Sequence, residues 1–578
     1  MSLLLGINAY NHQAAAAFVA DGRWAYAAEE ERFDRIKYSD AFPTLAIEDG
    51  LRTLGATAAD VSAVGFCWNW RQGLVPRLAF LARHCLDPRA CYYVSGLDRI
   101  ARIRSIQRLP RALQTIGLSS KLFHPMAHHR CHAASAFYSS PFDEAAILSI
   151  DGIGEWDTAW LGVGRGLTLQ RFARVRFPHS LGLAYDGITQ YLGFRKREEA
   201  GKVMGLAAYG DPARYRAAMS EFVRPAPGGG FLVNPDWVTW HRYFGYGPAP
   251  LLRASVASQL GPPRNREDPL DQRHADVAAS WQERFESIML HVCQWLRRTT
   301  EQRVLTMAGG CALNCLANQK IAEESGFDDV FASPAAADAG AAAGAAALLS
   351  AEQNGSRPHW TTALLGPGLD AKAGIEALRG DPNLDLRRPD DLCSEVVDLL
   401  VDGAIVGWAQ DRMEFGPRAL GNRSILADPR PVLMKDRVNR QVKHREPFRP
   451  FAPACPEEVA ADWFEGHLPS PWMMFAATVR PERRSQLGAV THEDGTARVQ
   501  TVGKEQQPLF HRLLTQFGER TGVPILLNTS FNVAGEPVVA SAADAIRCFL
   551  RTELDALVLG SWLAVKKRPV PRNHSSGI

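Results

Sequence analysis

The sequence predicts an α/β fold with an internal duplication, followed by a second α/β domain. Three observations predict it. The first thirty residues read as three strands, and a strand–turn–strand of the same kind returns at 145–164. Later, RVLTMAGGCALN runs from a strand through a Gly-Gly turn into a helix. Two hairpin turns and a late Gly-Gly turn facing one cleft make the nucleotide site of the actin and sugar-kinase class of folds, although the usual Gly-rich DxGxT loop is missing here. At 578 residues the chain is too long for one hydrophobic core, so two or more domains are expected. The polar, Pro-containing stretch SAEQNGSRPHWTT (350–362) reads as the linker, which sets the domains at 1–355 and 362–578.

Along the chain, SLLLGIN is an apolar strand, AAAAFVA follows a polar turn, and ADGR turns the chain into WAYAAEEER. His12 lies in the first of these turns. In AHHRCHAASAF, His128 and His132 are four apart, a spacing that stacks two side chains on one helix face. HxxxH by itself reads as a pair of surface or core histidines. Asp151, nineteen residues after His132 and at the end of a strand, joins them as a third ligand, and Asp338, in a loop entering an Ala-rich helix, as a fourth. Two His and two Asp suit Fe, Mn or Zn better than Ca or Mg. Gly309 and Gly310 let backbone approach a ligand, and the helix amides behind them favour anions.

The stretch 215–272 is Pro/Gly-rich and is expected to be irregular. Its Trp237, Trp240, Tyr243, Phe244 and Tyr246 suit either a groove for a sugar or polyketide face or an insertion packing its own small core. Beyond the linker, DGAIVGWAQDRMEFGPRALGNRSILADPR reads strand, Gly-containing loop, strand. KDRVNRQVKHREPFRPFAP then sets Lys435, Arg437, Arg440, Lys443, Arg445 and Arg449 against only Asp436 and Glu446. Pro447 and Pro450 break the helix, and Phe448 and Phe451 bury part of it, so these cations need anions, most economically phosphate. VPILLNTSFNVAGEP is a strand entering a turn with Asn528, Thr529, Ser530 and Asn532.

The formal net charge of +3 gives no argument for nucleic acid as a partner. Ten Cys without a CxxC pair point away from a zinc ribbon and toward a reducing compartment. The N-terminus lacks the features of a secretory signal, and no apolar run approaches the ~20 residues a membrane helix needs. A cytoplasmic protein, with no membrane partner, is the expectation; an oligomer is compatible with it.

Together these motifs resemble the O-carbamoyltransferase family of antibiotic and nodulation-factor biosynthesis. EEERFDRIKYSDAFP, HHRCHAASAF, GKVMGLAAYGDP, RHADVAAS, AGGCALNC, PAAADAGAAAGAA, EFGPRALGNRSI, KHREPFRPFAP and LLNTSFNVAGEP stand in the family's order over nearly the full length. The resemblance implies an N-terminal domain similar to the threonylcarbamoyl-transferase of tRNA modification and a C-terminal domain similar to threonylcarbamoyl-adenylate synthase. It implies that carbamoyl phosphate and ATP, with Mg²⁺ accompanying the nucleotide, give a carbamoyl-adenylate in the C-terminal domain. The carbamoyl group then passes to a hydroxyl of a small-molecule natural product at the N-terminal domain, which holds a metal, usually iron.

By the same resemblance His128, His132, Asp151 and Asp338 take the metal positions, and Gly309, Gly310 and Asn314 the nucleotide segment of the N-terminal domain. His12 takes the transfer-site histidine. Arg418, Lys443, Arg449, Asn528 and Ser530 take the phosphate positions, and Arg498, in ARVQTV, is matched less closely. Departures are small: Tyr38 stands where His is common, and Cys311 where Val is common. Arg forks and a Lys point charge suit the many negative charges of the two substrates. A His with an unperturbed pKa near ~6.5 suits a base that takes the acceptor's proton. Three alternatives stand beside this reading: a tRNA threonylcarbamoyl enzyme, which the near-neutral charge disfavours; a hydrogenase-maturation carbamoyltransferase, which would carry CxxC modules and the opposite domain order; and a non-catalytic actin-like nucleotide switch.

Overall fold

The computed structural model describes residues 2–69, 71–72, 74–83, 108–119, 122–240 and 250–567. Strand β1 (Leu3–Asn8) is buried along its whole length and sits centrally between β2 (Ala15–Ala20) and β4 (Val61–Phe66). It is antiparallel to β2 and parallel to β4, and both faces are covered, which is why it reads as one apolar run. The ADGR turn to β3 (Arg23–Glu29) places Asp21 and Gly22 both at positive φ, 47° and 78°, the twist a two-residue hairpin needs. With β5 (Phe123–Pro125) the sheet order is β3-β2-β1-β4-β5.

A second sheet repeats the first strand for strand. Its members are β6 (Glu144–Ile150), β7 (Asp157–Arg165), β8 (Thr168–Arg176), β11 (Val304–Ala308) and β12 (Asp329–Ala332), in the order β8-β7-β6-β11-β12. Here too the first three strands pair antiparallel and the last two join parallel. The expected duplication and the actin-like α/β class therefore hold. The β1–β2 turn carries His12, and its counterpart, the β6–β7 turn, begins at Asp151.

The Ala-rich helix Asp338–Asn354 lies between the sheets, against β1 and against helix His128–Phe137. Backbones meet there without side chains between them. A Cβ on Gly6 would stand 1.9 Å from the Ala342 carbonyl oxygen, and one on Gly344 1.8 Å from that of Cys131. Asp338 is the first residue of this helix rather than part of the loop before it, with Ala337 at the N-cap. The helix runs to Asn354 and stops at Gly355 (φ 63°), so the first residues of the expected linker are helical. Downstream, Trp360 stacks on Trp24 at 4.8 Å, pinning the connection to the first sheet.

The 215–272 stretch is more regular than expected. It holds helix Arg216–Phe222 and the hairpin β9 (Val223–Ala226) and β10 (Gly230–Val233), because its Gly residues close a turn between apolar segments. Trp237 is buried and stacks on Phe222 at 4.9 Å; Trp240 is buried and donates to the Pro178 carbonyl at 2.8 Å. These two pack a core rather than line a groove. Tyr243, Phe244 and Tyr246 lie outside the described residues.

The remainder is built on an eight-stranded mixed sheet. Its central strands Val406–Ala409, Arg423–Ala427 and Leu526–Ser530 are the strands expected around the Gly-containing loop and the polar turn. Helix Leu433–Val438 ends in a wide turn, Asn439–Lys443, and stops at His444 in the left-handed region (φ 47°), before Pro447 is reached. Among the described residues no helix is long and apolar enough to cross a membrane.

Candidate functional site

Helix His128–Phe137 brings both histidines to one buried face, their Nε2 atoms 3.1 Å apart. Asp151 Oδ2, at the end of β6, lies 3.2 Å from His128 Nε2 and 3.5 Å from His132 Nε2. Asp338 Oδ1 lies 3.5 Å from each. The four ligand atoms are within 4.8 Å of one another, although their residues span three separate elements. Asp338 Oδ1 is buried without a hydrogen-bond partner. Burial disfavours a charged His132, yet hydrogen bonds and charge from Asp151 and Asp338 outweigh it and push its pKa up to about 9. The two carboxylates thus call for positive charge, and the donor set fits a transition metal.

Side chains that sequence reasoning missed hold this group. Glu155 accepts from the His128 backbone N–H at 3.0 Å and from Asn69 N–H at 2.8 Å, capping the start of the histidine helix. The Trp68 ring stacks on His128 at 4.6 Å. Asn11 donates to Asp338 Oδ2 at 2.7 Å. Asn11 is adjacent to His12 in a polar turn and Glu155 follows Asp151 by four residues, so proximity in sequence was the available signal.

The buried Asn8 amide donates to the carbonyls of His12 and Gln13, fixing the turn. His12 Nδ1 then sits 3.3 Å from Asn11 Oδ1 and 3.5 Å from Asp338 Oδ2. Burial, offset in part by Asp338, lowers the His12 pKa. Gly309 (φ 94°) has its Cβ direction 2.1 Å from the Ile150 carbonyl oxygen, and the Gly310 N–H donates to Asp151 Oδ1 at 3.1 Å. Only glycine fits the first position. Asn314 lines the cavity, but its side chain caps helix Cys315–Glu324 and exchanges two hydrogen bonds with Gln282, each 3.0 Å.

The cations of the C-terminal half converge as well. Lys443 Nζ, almost fully buried, donates to Ser530 O and Oγ and to Asn532 O and Oδ1, at 2.6–3.2 Å. Burial first, then the charges of Arg445 and Arg449, hold its pKa well below the lysine range. Arg418 donates to the Leu313 carbonyl at 2.9 Å, and burial together with Arg498 lowers it to about 9. The Nε atoms of Arg418 and Arg498 and the Oδ1 of Asn528 are buried without partners. The Arg449 guanidinium has a long contact to the Glu446 carboxylate, 3.9 Å. Arg445, named in the charged run but given no role there, is likewise held below its range by burial and by Arg449.

One cavity of about 990 Å³ joins the two groups. His12, Asp151 and Gly310 line it on one side, and Arg418, Lys443, Arg449, Arg498, Asn528 and Ser530 on the other. The space thus has a carboxylate-bearing end and a cation-rich end.

Residues 92–347 match the family described as "Carbamoyltransferase N-terminus" and residues 397–566 the one described as "Carbamoyltransferase C-terminus". The nodulation protein NolNO of Sinorhizobium fredii is 39% identical over 98% of this chain and 81% of its own. The 3'-hydroxymethylcephem-O-carbamoyltransferase of Streptomyces clavuligerus is 29% identical over 95% of this chain and 97% of its own. Among solved structures, full-length HypF in a phosphate- and nucleotide-bound form is 12% identical, with a TM-score of 0.33 over 61% of this chain and 56% of its own.

Proposed function

The chain belongs to the carbamoyltransferase family, and on that premise we propose that it is an ATP-dependent O-carbamoyltransferase acting on a hydroxyl of a small-molecule natural product. The single observation that carries this reading is the cavity with two chemically opposite ends. A relative named for O-carbamoylation of a hydroxymethyl group supports an alcohol as the acceptor.

We assign activation to 362–578. Balanced, this half-reaction takes carbamoyl phosphate, ATP and one water to carbamoyl adenylate, phosphate and pyrophosphate. Arg418, Lys443, Arg449 and Arg498 neutralise phosphate oxygens that would otherwise repel one another, with Asn528 and Ser530 as further hydrogen-bonding groups. Mg²⁺ accompanies the ATP.

Transfer belongs to 1–355. The acceptor oxygen forms a bond to the carbamoyl carbon as the bond to the AMP oxygen breaks, and His12 takes the hydroxyl proton. His128, His132, Asp151 and Asp338 would hold a divalent transition metal, iron first, which supplies Lewis-acid polarisation of an oxygen. Gly309 and Gly310 let the nucleotide approach the backbone closely, with the Gly310 N–H itself held by Asp151. Enclosure between the halves protects the adenylate from water.

The test is direct. Purified protein should catalyse carbamoyl-phosphate-dependent ATP/pyrophosphate exchange and release AMP when a hydroxylated acceptor is carbamoylated. Exchange that ignores carbamoyl phosphate would sink the reading.

A further inference from the structure

The segment EEERFDRIK has no role in the chemistry above, yet Glu29, Glu31, Arg32 and Lys37 line the cavity. Strand β3 ends at Glu29 and a single helical turn, Glu31–Asp34, follows, and this change of direction brings Glu29 and Arg32 into contact. Both are buried; Arg32 Nε donates to Glu29 Oε2 at 3.2 Å, and Arg32 Nη1 meets Glu31 Oε1 at 2.9 Å.

The pair then grips one residue of the opposite half from both sides. The Gly416 N–H donates to Glu29 Oε1 at 3.1 Å, and the Gly416 carbonyl accepts from Arg32 Nη2 at 3.3 Å. Gly416 has φ 119°, and a Cβ there would stand 2.6 Å from the Pro334 carbonyl oxygen, so the residue is glycine by necessity. Two residues on is Arg418. From within, the buried Glu414 shapes the same loop by accepting from the backbone N–H groups of Leu420, Asn422 and Arg423 at 2.7–3.2 Å. Behind the pair, the Glu30 N–H donates to Ala14 O and the Ala14 N–H to Ser39 O, both at 2.8 Å, which ties the segment to the His12 turn.

A buried ion pair is weak evidence for stability, because desolvating both charges offsets much of their attraction. Here both partners also direct hydrogen bonds at one peptide next to a functional arginine. We propose that Glu29 and Arg32 are positioning residues for Arg418: the N-terminal half sets the guanidinium that the C-terminal half uses for activation. The proposal rests on the reading that Arg418 acts in adenylate formation.

The experiment is a double-mutant cycle on the full chain, read as carbamoyl-phosphate-dependent ATP/pyrophosphate exchange. Arg32→Gln should lower exchange by roughly 10- to 100-fold, the cost of misplacing a group by about 1 Å. Arg32→Lys, which keeps the charge but not the fork, should recover part of that loss. In the Arg418→Ala background the same Arg32→Gln change should cost less than about twofold, because the group being positioned is gone. Equal fold-losses in both backgrounds, with Arg418→Ala itself defective, would overturn the proposal and leave the pair as a brace. Wild-type exchange by Arg418→Ala would overturn the activation reading and this proposal with it. Should Arg32→Gln fail to fold, Glu29→Gln runs the same cycle, and the same two results would overturn the proposal.

Discussion

The two ends of the cavity are unbalanced in opposite senses. At one, Asp151 and Asp338 converge on two imidazoles, and His132 is driven up to about 9 in spite of burial. At the other, buried Lys443 and half-buried Arg445 and Arg418 crowd together, and desolvation and like charge lower each below its ordinary range. The same physics acts at both, since buried charge is tolerable only beside its opposite. The ends also differ in construction. The first draws its groups from a helix face, a strand end and a helix start, while the second combines the strand Leu526–Ser530 and the turn Asn439–Lys443 with the loop that carries Arg418. On the proposed function the first end would hold a resident cation and the second would take anions that come and go.

Four experiments bear on that contrast. The largest effect should come from His132→Ala or Asp151→Ala. Either should abolish transfer and remove the metal, about one equivalent per chain in the parent, while exchange continues; elemental analysis beside both assays decides it, and joint loss of the two activities would erase the division of labour. Next, His12→Ala should lower transfer by ~10²–10⁴ with exchange near normal, and His12→Gln, which cannot titrate, should not rescue. Near-wild-type transfer by His12→Gln would move the base elsewhere. Arg418→Ala, Lys443→Ala and Arg449→Ala should each cost on the order of 10²–10³ in exchange. Three unaffected variants would reduce the cluster to a solvated face.

The smallest effect is thermodynamic. ATP at 100 times its Kd should stabilise the protein by about 2.7 kcal/mol. Lys443 has a folded pKa below its unfolded value near ~10.4, so the unfolded chain binds that proton more tightly, and ligand-free stability should rise with pH across the interval between the two. Bound anions favour the charged amine, so the stabilisation by ATP should shrink as pH climbs through the depressed value. Calorimetry at several pH values reads both trends, and a pH-independent ATP effect would remove Lys443 from the binding account.

The parts of this arrangement that repeat at fixed spacing were legible in the sequence. His128 and His132 announce themselves by helical periodicity, the hairpins by alternation and by turn residues, and the Gly-Gly turn by composition. Asp338 could be singled out as a candidate, but 187 residues separate it from Asp151, and no local pattern says that the two meet. The same limit hid the Glu29–Arg32 grip on Gly416, whose partners lie 384 and 387 residues apart. Asn314 shows the converse: its motif was visible, but not that capping and Gln282 occupy its side chain. For the aromatic run both a groove and a small core stood open, because composition does not tell buried rings from exposed ones; Trp237 and Trp240 take the second course.

The contact of bare backbones around helix Asp338–Asn354 bears on how this chain can drift over generations. Gly6 and Gly344 touch no substrate, yet even a methyl group at either would collide with a carbonyl oxygen less than 2 Å away. Relief requires the helix to slide, and the helix carries Asp338 at its tip while leaning on the one that carries His128 and His132. A side chain at Gly6 or Gly344 is therefore expected to disturb the cluster as replacing His132 or Asp151 does, and a screen for dead variants that ignores the distance from the cavity should find both kinds together.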